Sequence, residues 1–500
     1  VFLVAARGAL LQQLGTAMDP PILPEPVARK YNPHDPSAAL PFMELHFFNS
    51  LGGFTQDGRE YAIYLGPGIH TPAPWVNVIA NPSFGTLVSE TGAGFTWQGN
   101  SQRNRLTQWS NDPVLDTSSE AIYLRDEDSG RYWTPTASPI REETAYRARH
   151  GAGYTVFEHN SHGINQEMIV FVPMDGEGSK PVKLQRLFLH NDSGRLRRLT
   201  LTYYVEWTLG ETREASQMHV TTAWDDEAQA MFAQNRYHPD YADQVAFAAL
   251  SLPTESFTAD RTVFLGRNRS MSNPVGMTRT KLSGRTGAGL DPCAALQVSL
   301  KLAPGERTQI TCMLGQAPSL EQARALTLAY RENQAVEDAL RQTQSWWDEQ
   351  LGVIQVHTPE LATDLILNRW MLYQSLACRI WGRSGFYQSG GAFGFRDQLQ
   401  DVMALLYASP SLAREHILLA ARHQFKEGDV QHWWHPPGGA GIRSRISDDL
   451  LWLPFVTAQY LRITGDKTIL HEPVPFLEAP LLGKEEQESF QQPDISTEHA

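Results

Sequence analysis

The chain has 500 residues, with 42 Lys and Arg against 55 Asp and Glu, a formal net charge of −13. This acidic balance argues against a nucleic-acid or anionic-membrane binder, which would carry a basic patch. Length leaves room for about two to four domains with cores large enough to need no staple. The three cysteines, Cys293, Cys312 and Cys378, are too few and too scattered for a disulfide framework or a metal cluster, and fit a reducing compartment. No stretch approaches the roughly 18 apolar residues of a membrane span.

The sequence opens on Val1, and its first 14 residues read as an amphipathic helix cut in mid-pattern rather than a signal peptide, because Arg7 interrupts the apolar run. Residues 1–40 form this helix and a Pro-rich lead-in (Pro20, Pro21, Pro24, Pro26). Together with a polar end at Ala500, this suggests a piece of a larger polypeptide.

From 41 to 316 the texture is β. Leu199, Leu201, Tyr203, Val205 and Trp207 alternate with Arg198, Thr200, Thr202, Tyr204 and Glu206, the period of a half-buried antiparallel strand. Met168 to Val172 reads as a more fully buried strand, and Asn191-Asp-Ser-Gly194 and Pro304-Gly305 read as turns. The region exceeds a simple immunoglobulin-like sandwich of about 100 residues, so a large two-sheet antiparallel β-sandwich is expected. Glu158, His159 and His162 read as surface residues.

Residues 317–357 read as a helical linker, or equally as the first helix of the next domain. Ser319 caps a helix, Trp346 and Trp347 follow, and Val353 to Val356 look strand-like. From 358 onward the chain reads as helical. Thr358 caps a helix with Pro359 in its first turn, apolar on nearly all sides to Trp381 and so expected to be buried. Ser409-Pro410 opens a second, ending near Phe425, and Ser447-Asp-Asp449 a third, ending at Thr464-Gly465. Gly-rich loops with aromatics lie between them, at 385–394 and 433–441. Helices alternating with such loops suggest a helical barrel or toroid.

Three motifs carry candidate chemistry. In Gly390-Gly-Ala-Phe-Gly-Phe-Arg-Asp-Gln-Leu-Gln-Asp401, glycines allow close backbone approach and Arg396 and Asp397 open a helix, where a carboxylate is favoured and can accept two sugar hydroxyls. The same residues also fit a plain charge pair after a connector. In Gln424-Phe-Lys-Glu-Gly-Asp-Val-Gln-His-Trp-Trp-His435, Trp433 and Trp434 beside Lys426, Glu427 and His432 would make a sugar subsite, although either Trp fits a core equally well. His432 and His435 lack a third zinc ligand, so no metal is assigned. In Arg443-Ser-Arg-Ile-Ser-Asp-Asp-Leu-Leu-Trp452, Asp448 and Asp449 are helix-capping groups, substrate ligands, or half of an acid–base pair with Asp397 or Glu427.

The stretches Tyr387 to Asp401, Gln424 to Pro436 and Ser447 to Pro454, with Tyr31-Asn-Pro and Phe48 to Phe54 in the β region, resemble glycoside hydrolase family 94, formerly glycosyltransferase family 36. The resemblance spans nearly the whole chain. It is strongest to the β-1,2-glucan branch, which includes the phosphorylase-like region of cyclic glucan synthases and stand-alone β-1,2-oligoglucan phosphorylases. It implies a multidomain β + α architecture: a β-sandwich over 41–316, a helical linker over 317–357, and over 358–500 the N-terminal part of an (α/α)6 catalytic toroid, incomplete here. It implies inverting phosphorolysis, in which inorganic phosphate replaces the activated water of a hydrolase and one carboxylic acid protonates the leaving oxygen. No metal or organic cofactor is implied, and phosphate is a co-substrate.

Carried over by residue, Arg396 and Asp397 match the Arg-Asp pair that holds the glucosyl ring beside the scissile bond. Gln388, Gln398, Gln400, Asp401, Lys426, Glu427, His432, Trp433, Trp434, Asp448 and Asp449 belong to matched motifs and are substrate-binding candidates. Cellobiose phosphorylases carry a further Arg six positions before the Asp, where this chain has Gly391, a departure that fits β-1,2-linked glucan. The family's general acid, the last Asp of an Asp-Trp-Asn-Asp motif, has no match in the 500 residues and is expected beyond Ala500, so no catalytic residue is assigned and this piece alone is expected to be inert.

The implied partners are β-1,2-glucan or an oligoglucoside, phosphate, the remainder of a parent polypeptide and a second copy in a homodimer, with no nucleic acid. The implied location is a cytoplasmic region of a bacterial inner-membrane parent. A non-catalytic carbohydrate-binding module, a fragment of a stand-alone β-1,2-oligoglucan phosphorylase, and an inverting hydrolase pairing Asp397 with Asp448 or Asp449 are the alternatives. A partial toroid also leads us to expect exposed apolar surface on the helices at 358–381 and 448–464, and hence aggregation.

Overall fold

The computed structural model describes Glu25, Pro26, Asp35 and residues 37–175 and 178–499. The helix expected at 1–14 and the Tyr31-Asn-Pro motif lie outside the described residues. Two compact units are present: residues up to Gln98 together with Asn104–Gln344, and Gly99–Arg103 together with Ser345–Ala500.

The first unit is the expected antiparallel sandwich, of one ten-stranded and one nine-stranded sheet. Its logic is clearest in the strand Arg197–Gly210, which pairs with Pro292–Leu302 on one side and Glu120–Asp126 on the other. Leu199, Leu201, Tyr203, Val205 and Trp207 point into the main core, where they meet Phe157, Met168, Leu187, Ile310 and Leu314 of the ten-stranded sheet. Burying a large apolar side chain of this kind stabilises by about 1.5–3 kcal/mol.

The opposite face of that strand differs from the half-buried expectation. Thr200, Thr202, Tyr204 and Glu206 are buried too, and only Arg198 is exposed. The cause is a local cover: the short helix Arg261–Leu265 stacks Phe264 on Tyr204 with ring centroids 4.4 Å apart, and Arg261 pairs with Glu206 at 2.7 Å. The turns at 191–194 and 304–305 join strands of different sheets, so each carries the chain across the sandwich.

Glu158, His159 and His162 are not the surface group that the sequence suggested. His159 is fully buried, stacked on Tyr146 at 3.8 Å, with Nε2 3.0 Å from Glu142. His162 reaches the same carboxylate, and Glu158 pairs with Arg147 and Arg149. Arg147 and Arg149 on one strand neutralise Glu158 on the next, which permits their partial burial.

Ser319 caps the helix Leu320–Ala329 by accepting the Gln322 N–H at 3.2 Å, as its sequence signal indicates. The helix Asn333–Leu351 carries Trp346 and Trp347. Val353 to Val356 is not a strand but an irregular segment whose Val356 N–H donates to the Asn368 side chain at 2.7 Å.

In the second unit a helical path runs from Leu361 to Gly382 with two π-helical sections, Ile366–Trp370 and Ser375–Gly382. Its cap is Glu360, not Thr358, because the Thr358 hydroxyl is engaged with the Glu360 backbone. It buries Trp370, Tyr373, Leu376, Ala377, Ile380 and Trp381 but leaves Leu361, Ile366, Leu367 and Met371 exposed, so it is covered on one side only.

Three regular helices follow: α1 (Phe395–Ala408), α2 (Pro410–Ala421) and α3 (Asp449–Thr464). Helix α2 has Pro410 in its first turn and stops four residues before Phe425, which is buried under the guanidinium of Arg443 at 3.9 Å. Gly465, with φ 71°, ends α3 as a left-handed cap. Leu450, Leu451 and Phe455 on α3 are exposed, in line with the apolar surface expected there.

The region is less uniformly helical than its sequence suggests. A four-stranded antiparallel sheet, in the order β1 (Phe393–Gly394), β2 (Gln431–Trp434), β3 (Gly441–Ser444) and β4 (Glu488–Gln491), uses parts of both Gly-rich segments. A second small sheet pairs Pro475–Glu478 with Asp494–His499. Among the described residues no helix is long and apolar enough to cross a membrane.

Candidate functional site

The second unit holds a cleft of about 730 Å³ at the start of α1. Gly394 precedes the helix in extended conformation, and a Cβ there would stand 2.6 Å from Oδ2 of Asp397, so glycine lets the carboxylate fold back over the helix N-terminus. Asp397 lies in the first turn, where the helix dipole favours a negative charge. Asp401, one turn later on the same face, also lines the cleft.

Of the candidates read from the sequence, Gln388, Asp397, Gln398, Asp401 and Trp433 line this cleft. The Asp397 side chain is 58% exposed and open to a ligand. Asp401 accepts from Nε of Arg379 at 2.9 Å; burial, and to a lesser degree Asp397, push its pKa up against the opposing pull of Arg379. Gln398 donates to the Arg379 carbonyl at 3.0 Å, while its buried Oε1 has no partner among the described residues.

The remaining candidates lie elsewhere. Arg396 forms an ion pair with Asp448 at 3.1 Å and approaches Asp397 at 3.7 Å. Asp448 is therefore tied to a guanidinium and makes no side-chain cap to α3. Asp449 is 1% exposed and pairs with Nδ1 of His432 at 2.7 Å; burial raises its pKa and His432 opposes the rise. Glu427 and Asp429 both hold the buried guanidinium of Arg443, at 2.9 and 2.6 Å. Lys426 bridges Glu478 and Glu498, which push its pKa up to about 12. Gln400 is exposed and does not line the cleft.

Trp434 belongs to the core. It is 3% exposed and stacks between Phe393 and His423, with ring centroids at 5.6 and 3.7 Å. Trp433, next to it on β2, faces the cleft in edge contact with His435. Arg396 thus stands in contact with both Asp397 and Asp448, the carboxylates considered as a hydrolytic couple.

Several lining residues were not singled out from the sequence. Arg383 has φ 45° and donates to the carbonyls of Gly391, Ile380, Trp381 and Gly99 at 3.0–3.2 Å, with its guanidinium 3.9 Å over Phe393. A cation closing a helix just before a Gly-rich segment was the available signal. Arg379, Tyr387, Cys378 and Gln102 also line the cleft. Burial pushes the Cys378 thiol up to about 12. Gln102 comes from the segment Gly99–Arg103 and had no local signal.

The arrangement combines aromatic faces (Trp433, Tyr387) with fork-shaped acceptors (Asp397, Asp401) and carboxamides (Gln388, Gln398). Such a set stacks on pyranose rings and accepts or donates to their hydroxyls. Among the described residues no three His, Cys, Asp or Glu side chains gather as metal ligands.

Comparison with known proteins agrees with this chemistry. The chain is 42% identical over 457 residues to cyclic beta-(1,2)-glucan synthase NdvB of Rhizobium meliloti (strain 1021), covering 91% of this chain and 16% of that protein. It is 27% identical to N,N'-diacetylchitobiose phosphorylase of Vibrio proteolyticus (85% of this chain, 56% of that one) and 29% identical to solabiose phosphorylase of Paenibacillus borealis (86% and 54%). The chain thus spans a sixth of the synthase and about half of these phosphorylases. A solved human-microbiome structure, provisionally named a kojibiose phosphorylase, shares the fold with a TM-score of 0.50 at 10% identity, over 83% of this chain and 57% of that one. The description "Glycosyl hydrolase 94, supersandwich domain" matches residues 59–333, and "Glycosyl hydrolase 94 superfamily, catalytic domain" matches residues 346–484. With more than half of its length matched by the first of these alone, the chain belongs to glycosyl hydrolase family 94.

Proposed function

We propose that this chain binds β-1,2-linked glucan in the cleft at the start of α1, and that the protein containing it transfers glucosyl units between such chains and inorganic phosphate with inversion. The observation that carries the reading is one cleft lined by Asp397, Asp401, Gln388 and Trp433, together with the 42% identity to a protein named for β-(1,2)-glucan synthesis. Asp397 accepts hydroxyls of the ring at the scissile bond, Trp433 supplies a stacking face, and phosphate is the nucleophile. Gly391 supports the linkage. It has φ +61°, and a Cβ there would stand 2.0 Å from Oδ1 of Asn100, so an Arg at this position is sterically excluded. The names of two relatives, N,N'-diacetylchitobiose phosphorylase and solabiose phosphorylase, support phosphate as co-substrate. No organic cofactor enters the scheme.

The general acid is not among these residues, because none of the 500 matches the Asp-Trp-Asn-Asp motif. By itself the chain binds glucan without turnover. We further propose, on the family resemblance alone, that the chain is a cytoplasmic region of an inner-membrane parent. Titration calorimetry with β-1,2-glucooligosaccharides is expected to show binding, and preference for β-1,4-linked oligosaccharides would overturn the linkage. Incubation with β-1,2-glucooligosaccharides and phosphate is expected to release no glucose 1-phosphate; release would overturn the assignment of the acid elsewhere.

A further inference from the structure

The segment Gly99–Arg103 joins two strands of the sandwich, Gly94–Gln98 and Arg105–Thr107, yet belongs to the second unit. Asn100 and Ser101 are fully buried there. The Asn100 carboxamide is saturated: Oδ1 accepts the backbone N–H groups of Gln102 and Arg103 at 3.0 Å each, and Nδ2 donates to the Pro436 carbonyl at 3.0 Å and lies 3.3 Å from Nδ1 of His435. Ser389 donates to the Ser101 carbonyl at 2.5 Å, and Ser101 donates to the Arg383 carbonyl at 3.3 Å. Gly391 is the complement of Asn100, since only a residue without Cβ leaves room for its Oδ1. Five residues are thus locked onto the two segments that form the cleft, at a cost in ordering that a solvent loop would not bear.

The residue this anchoring presents is Gln102. Its backbone is fixed by Asn100, and its side chain lines the cleft with Trp433, His435 and Asp397. Its carboxamide, which has two donor hydrogens and an acceptor oxygen, is half-buried and bonded to no described residue. A half-buried carboxamide held in a cleft wall and bonded to no described protein group offers its donors and acceptor to a polyhydroxylated ligand.

We propose that Gln102 is a specificity-determining residue of the glucan site, hydrogen-bonding a sugar hydroxyl, with Asn100 as its positioning residue. This rests on the proposed glucan binding. The test is calorimetric titration of this chain with β-1,2-, β-1,3- and β-1,4-linked glucotrioses, comparing wild type with Gln102→Ala and Gln102→Glu, with thermal melting in parallel. The expected result is a loss of affinity for the bound trisaccharide of about three- to tenfold in Gln102→Ala. A changed ranking among the linkages is expected in Gln102→Glu, which has lost both donors. Melting should be unchanged in both, as the side chain bonds nothing in the fold. If wild type binds a trisaccharide of another linkage, the β-1,2 reading fails, while the Gln102 effect is still read on that ligand. Affinities within twofold of wild type in both variants overturn the inference, as does a loss that is equal for all sugars and accompanied by earlier melting. Wild-type binding of none of the three overturns both.

Discussion

The indole of Trp434 stacks on the imidazole of His423 with ring centroids 3.7 Å apart and planes 14° apart. Burial lowers the His423 pKa from its ordinary 6.5 to about 4, with Arg422 adding to the shift and a bond to the Leu419 carbonyl opposing it. His416, half-buried near Phe393, is lowered to about 4 in the same way, with Arg383 contributing. Between pH 6.5 and 4 the unfolded chain therefore binds protons that the folded chain refuses. Stability is lost as pH falls through this window, by up to about 3 kcal/mol for His423 alone. Thermal melting from pH 7 to 4 should show the decline, and His423→Phe, which keeps a ring on Trp434, should flatten it. An identical pH slope in the variant would contradict the assignment.

Trp433 and Trp434 should separate into binding and folding. Trp434→Ala opens a cavity between Phe393 and His423 and is expected to cost about 3–5 kcal/mol of stability. Trp433→Ala is expected to cost less stability and to weaken glucooligosaccharide binding by about 1 kcal/mol, the worth of one stacked ring. Denaturant unfolding and calorimetry on both variants check the split, and equal effects of the two on either readout would refute it.

Gly391→Ala places a methyl group 2.0 Å from Oδ1 of Asn100 on a residue with φ +61°. Displacement of Asn100 and backbone strain together are expected to destabilise by about 1–3 kcal/mol. Because Asn100 anchors Gln102, oligosaccharide affinity should fall with it. A variant that melts like wild type and binds as well would show that the contact with Asn100 is not needed.

Arg443 is 1% exposed and held by Glu427 and Asp429, with its guanidinium over Phe425. Arg443→Met keeps much of the volume but leaves two partly exposed carboxylates without their cation, an expected loss of about 1–3 kcal/mol. The same substitution combined with Glu427→Gln and Asp429→Asn should recover part of that loss. Unfolding by denaturant measures both, and no recovery in the triple variant would speak against charge as the cause.

Much of this architecture is legible in the sequence because it depends on local periodicity. The alternation from Leu199 to Trp207 identifies a strand and its inward face, Ser319 marks a helix start, and the run ending in Arg396-Asp397 marks a helix N-terminus next to glycines. Burial of the other face of the strand was not legible, since the cover comes from Arg261–Leu265, more than fifty residues away. For the same reason the histidines around Glu142 looked like surface residues: their shared partner lies 17 and 20 positions earlier, in the segment before the neighbouring strand.

The sequence by itself determined the order of sandwich and helical region, the family motifs, and the identity of Asp397 as a carboxylate at a helix start. Residues 433–441 read as a Gly-rich loop, so the strand Gln431–Trp434, which turns Trp433 and Trp434 to opposite faces, was itself a product of the fold, and two chemically identical side chains carry no mark of which face is the core. Tertiary packing decided that, by setting Phe393 and His423 against Trp434. It likewise decided the wall of the cleft. Asn100 and Pro436 are joined by one hydrogen bond across 336 positions, and a bond between groups so distant in sequence arises only when the whole chain has folded to bring donor and acceptor together.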